Sequence, residues 1–113
     1  MNSVKKNVFK INNIIIPYNY KFSENNKTYY IISFASNKKF ERLARYYILY
    51  SDNILNNILS LLNDLERTYY NIVDYSNNIY VIYVMPKNYE SDFNKLINNY
   101  NGLDWNIKIF NFF

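Results

Sequence analysis

Four cations stand close together at Lys38, Lys39, Arg42 and Arg45. On a helix, Lys38, Arg42 and Arg45 fall on one stripe about 60° wide at 100° per residue. That spacing sets basic side chains along a phosphate backbone, and with Lys39 the stripe can neutralise several phosphates. Tyr29 and Tyr83 form a second set. With Tyr30 and Tyr80 they lie in runs that read as central strands, where exposed rings stack on unpaired bases. Asp74, Glu90 and Asp92 form a third, with Lys95 nearby. Carboxylates alone can hold magnesium, which takes oxygen ligands, so a metal-dependent nuclease is one chemistry within reach. No D…(D/E)-x-K pattern stands on paired strands, however. Glu90 and Asp92 equally suit the first turn of a helix, where the macrodipole favours acids.

Each set has a plain structural reading. Every amphipathic helix needs a solvated face, and tyrosines on strands pack as core. The charge distribution weighs on the other side. Residues 1–50 hold nine Lys/Arg and two acids, and residues 51–113 hold four and seven. The net charge of +4 is therefore a front half at +7 and a back half at −3.

The chain excludes much other chemistry. It has no His and no Cys. Ser–His and Cys–His nucleophilic systems, thiolate metal sites and disulfides are therefore impossible within it. Its single glycine, Gly102, excludes the glycine-rich phosphate cradles, which need several residues without a Cβ. No cofactor motif remains. The apolar runs are far shorter than the roughly 20 residues of a membrane span. Asn7, Lys10, Asn12 and Asn13 break any signal-peptide core after Lys5 and Lys6. The expectation is a soluble, cytoplasmic protein. The abundance of Asn, Ile, Tyr, Lys and Phe follows A/T-rich codons, as in many viral and mobile-element genomes.

The elements that must position these groups follow from periodicity. With 113 residues the chain is one domain. Residues 7–16 read as a first strand ended by Pro17, and residues 18–23 alternate as a half-buried strand. Glu24–Lys27 is a turn by composition, and 28–35 is a strong strand, so 18–35 reads as a hairpin. Ser36 or Asn37 can cap the next helix. Phe40, Leu43, Ala44, Tyr47 and Ile48 make its apolar stripe. Ser51-Asp52-Asn53 breaks it, so 37–66 is two short helices or one bent one. Strands follow at 68–74 and 78–85. Asn88 then caps a helix that ends before Gly102, and 105–113 reads as a last strand.

The expected fold is α+β: an N-terminal β extension over 1–27 and a ferredoxin-like (split βαβ) core, β-α-β-β-α-β, over 28–113. Strands 29–34 and 79–85 are apolar on both faces. One face needs a cover beyond the helices, which the N-terminal segment, a ligand or a homodimer partner would supply. The functional expectation is a non-enzymatic nucleic-acid-binding module acting through Lys38, Lys39, Arg42 and Arg45, and through sheet aromatics such as Tyr29 and Tyr83. The alternative is a viral or mobile-element accessory protein that blocks a host protein or nucleoprotein complex, as anti-CRISPR proteins do. A magnesium-dependent nuclease comes third.

Overall fold

The computed structural model describes residues 7–11, 14–34 and 38–99. The expected caps Ser36 and Asn37, the helix stop at Gly102 and the last strand at 105–113 lie outside the described residues. The structure is α+β, with six strands in two sheets and three helices among these residues. Strands β1 (Val8–Ile11) and β2 (Ile14–Pro17) pair as an antiparallel hairpin. Residues 7–16 are therefore not the single strand that their β-branched run suggests. Strands β3 (Tyr20–Glu24) and β4 (Lys27–Ser33) form the expected second hairpin. Asn25 and Asn26 turn it at φ 54° and 64°. Asparagine tolerates this left-handed geometry better than any other residue with a Cβ, so it serves a chain with almost no glycine. The turn before β6 uses the same device, with Ser76, Asn77 and Asn78 all at positive φ.

The segment between β4 and β5 resolves into two helices, α1 (Lys38–Tyr50) and α2 (Ile54–Asp64), broken at residues 51–53. Strands β5 (Thr68–Asp74) and β6 (Ile79–Pro86) follow as an antiparallel hairpin. Then come a 3-10 turn (Lys87–Tyr89) and α3 (Glu90–Asn99). Asn88 lies inside the 3-10 turn rather than at the cap of α3.

The main sheet runs β3-β4-β6-β5, with β4 and β6 central as their apolar character requires. Its order and polarity depart from the ferredoxin-like expectation. One crossover helix would deliver β5 parallel to β4, and a hairpin would then set β6 antiparallel to β4. Here the crossover holds two helices. It leaves the sheet beside Ser33 and re-enters it at the same end, so β4 and β6 are parallel. β3 takes the edge beside β4 that the ferredoxin-like order gives to its last strand.

Both sheet faces are covered from within the chain. On one, α1 and α2 bury Phe40, Ala44, Ile58 and Leu62 against Phe22, Tyr29, Ile31 and Ile82. On the other, the β1–β2 hairpin (Phe9, Ile11, Ile16) and α3 (Phe93) close over Ile32, Val81, Tyr83 and Met85. The unpaired apolar face that would call for a second subunit is thus satisfied by the N-terminal hairpin and α3.

Candidate functional site

Helix α1 is where the sequence-expected cations come together. Phe40 and Ala44 are fully buried against the sheet, with Leu43, Tyr47 and Ile48 half-buried beside them. A helix fixed by that face must present the opposite one to water. Lys38, Lys39, Arg42 and Arg45 are all exposed on it. The Tyr20 hydroxyl donates to the Glu41 carbonyl at 3.2 Å, which ties the first turns of α1 to β3. The Glu24 carboxylate accepts the Ile54 N–H at 2.7 Å and closes the N-terminus of α2. That bond anchors the helix pair from the β3–β4 turn, and nothing local in sequence announces it. It acts through the charge–dipole attraction that favours carboxylates at helix starts.

The charges on α1 run against its own dipole. Lys38 and Lys39 sit in the first turn, with Glu41 the acid there, and the last turn carries no base. Cations are disfavoured at a helix N-terminus and favoured at its C-terminus. Stability of α1 is therefore not what the two lysines serve.

The sheet aromatics proposed as stacking surfaces lie inside the protein, which corrects the sequence reading of Tyr29 and Tyr83. Tyr29 is 6% exposed, stacked between Phe22 at 4.8 Å and Tyr80 at 5.3 Å beneath α1 and α2. Tyr83 is fully buried on the opposite face and shares a hydroxyl–hydroxyl hydrogen bond with Tyr75. Neither ring can meet a base. Burial pushes the Tyr29 phenol up, helped by Tyr80 and Glu24. It pushes Tyr75 up to about 12, partly offset by the bond to Tyr83. It raises Tyr83 further, with the charge of Tyr75 and their hydrogen bond adding to it. All three stay neutral at physiological pH, so none is a base or an ionised nucleophile.

The other candidates stay apart. Asp74, at the end of β5, accepts the Ser76 N–H at 2.9 Å. Glu90 and Asp92 open α3, as the macrodipole favours. Among the described residues no group of three His, Cys, Asp or Glu is placed to hold a metal ion. A depression of about 450 Å³ beside the start of α3 is lined by Lys87, Asn88, Glu90, Ser91, Asn94 and Lys95, a face of mixed charge. Lys21 and Lys27 lie over the rings of Tyr30 and Tyr80 at 5.7 and 5.5 Å, held as cation–π partners. No described helix is long and apolar enough to cross a membrane.

The sequence reading missed Tyr46, Leu49 and Tyr50, which are 56%, 64% and 71% exposed on α1. The signal was present. Projected at 100° per residue they fall roughly 20–120° from Lys38, inside the arc that Lys39 and Arg42 also occupy. No protein-family model, no curated protein and no solved structure matches this chain.

Proposed function

We propose that the protein is a non-enzymatic nucleic-acid-binding module, acting in the cytoplasm without a cofactor, whose binding surface is the outer arc of α1. One observation carries this reading: Lys38, Lys39, Arg42 and Arg45 are all exposed on a helix whose other face is locked into the core. The placement of Lys38 and Lys39 against the helix dipole supports it, because local rules are broken where function requires it. Phosphate contacts are electrostatic and release counterions, so affinity falls with salt in proportion to their number. A competing reading, an accessory protein docked on a host protein or nucleoprotein complex, uses the same arc. The exposed Leu49 between two exposed tyrosines favours it.

The test is binding to labelled DNA and RNA as a function of salt. Four phosphate contacts give a log–log slope of about −3 to −4. Changing Lys38, Arg42 and Arg45 together to Glu removes most of the binding and flattens the slope by about 2–3. Chelation leaves the wild-type affinity unchanged. Unaltered nucleic-acid affinity in the folded triple variant removes α1 from the site. Absence of nucleic-acid binding, with capture of an acidic host protein that the triple variant loses, selects the competing reading.

A further inference from the structure

The outer arc of α1 is divided along its length. Its cations lie in the N-terminal part, Lys38–Arg45, and Tyr46, Leu49 and Tyr50 lie in the C-terminal part. These three are half of the six exposed large hydrophobic residues among those described, and only they adjoin a cluster of cations. The rings of Tyr46 and Tyr50, one turn apart, have centroids 5.2 Å apart and planes tilted by 44°. They do not stack face to face, and with more than half of each side chain exposed, each keeps ring surface for a ligand.

A duplex keeps its base faces stacked inside and offers phosphates and groove edges. Ring faces beside a basic stripe match instead the two things a single strand displays together, phosphates and unpaired base faces. Resting on the reading of α1 as a nucleic-acid-binding surface, we infer that its ligand is a single strand. Its phosphates lie on Lys38, Arg42 and Arg45, and successive bases stack on Tyr46 and Tyr50. The 13 residues of α1 run about 20 Å at 1.5 Å per residue, room for about five or six stacked nucleotides. That length falls at the short end of known single-strand sites.

The experiment compares fluorescein-labelled oligothymidylate, oligouridylate and a duplex of equal length, by anisotropy at low salt. Each is measured with the full-length wild type and with the Tyr46→Leu/Tyr50→Leu variant. Leucine keeps apolar area and helix propensity but has no ring face, and unchanged far-UV circular dichroism confirms the fold. Wild type binds the single strands at least about tenfold tighter than the duplex, and the variant loses about tenfold or more on the single strands only. The ratio of the two single-stranded arms tells DNA from RNA. If wild type binds duplex and single strands equally and the variant changes neither, the single-strand inference is overturned while α1 remains a phosphate-binding surface. If wild type binds none of the three probes, the nucleic-acid reading falls with it.

Discussion

Helices α1 and α3 cover opposite faces of one sheet and share an architecture, yet their outer surfaces differ. Each buries a phenylalanine, Phe40 on α1 and Phe93 on α3. On α3 the acids Glu90 and Asp92 open the helix in accord with its dipole, and Lys95 follows one turn on. On α1 four cations outnumber one acid, two of them stand at the unfavourable end, and aromatic side chains lie in the C-terminal part. Solubility and amphipathicity account for the described side chains of α3. They account only for the buried face of α1, so the surplus on its outer face is where a ligand is to be sought.

The largest separation between the two helices is expected from paired charge reversals. Lys38→Glu/Arg42→Glu/Arg45→Glu removes most of the nucleic-acid binding, whereas Lys87→Glu/Lys95→Glu beside α3 leaves affinity within about twofold, since distant surface charges are screened beyond about 10 Å. Equal losses from both would erase the distinction and point to net charge alone.

Core anchors should not discriminate in the same way. Phe40→Ala and Phe93→Ala each cost about 3–5 kcal/mol in urea unfolding, because each leaves a cavity under its helix. At temperatures where both variants stay folded, only Phe40→Ala weakens binding. Loss of affinity in both would mean that α1 is not a separate binding element.

The buried hydroxyl pair behind α3 gives a smaller effect. Tyr83→Phe removes the hydroxyl–hydroxyl bond to Tyr75 and costs about 0.5–1.5 kcal/mol, with binding unaffected. Both phenols have folded-state pKa values above the unfolded value near 10, that of Tyr75 being about 12. The unfolded chain therefore loses these protons first. The stabilisation is fully present below about pH 10 and declines as pH rises through 12. Tyr75→Phe/Tyr83→Phe should flatten the fall in melting temperature across that window. A fall of undiminished size would assign it to other groups.

The smallest effect is the most pointed. Lys38→Glu/Lys39→Glu replaces cations at the N-terminus of α1 by acids and should raise stability by about 0.3–1 kcal/mol per site while weakening nucleic-acid binding. A variant that loses both stability and binding would show that the lysines support the helix itself.

Much of this contrast was legible in the sequence. The apolar stripe Phe40, Leu43, Ala44, Tyr47 and Ile48 set the orientation of α1, and so the side on which Lys38 and Arg42 would stand. The double-sided apolar runs identified β4 and β6 as central. What failed depended on long-range geometry. Tyr29 and Tyr83 alternate correctly for a strand, but alternation cannot say which face a helix will cover, and here both faces are covered. The relative direction of β4 and β6 hinged on whether residues 37–66 bend or break. The break at 51–53 is stabilised by Glu24, thirty residues away from the N–H it accepts. Tyr46, Leu49 and Tyr50 lie on the same outer arc as the charges, but an apolar side chain on a helix reads as core until the packed face is fixed.

The most direct measurement is a backbone amide map of the isotope-labelled protein titrated with a short oligothymidylate. Chemical-shift changes should concentrate on the amides of Lys38–Tyr50 and spare Glu90–Asn99, with saturation at one strand per chain. Changes centred on α3 or on the β5 edge, with α1 silent, would contradict the assignment of the α1 surface.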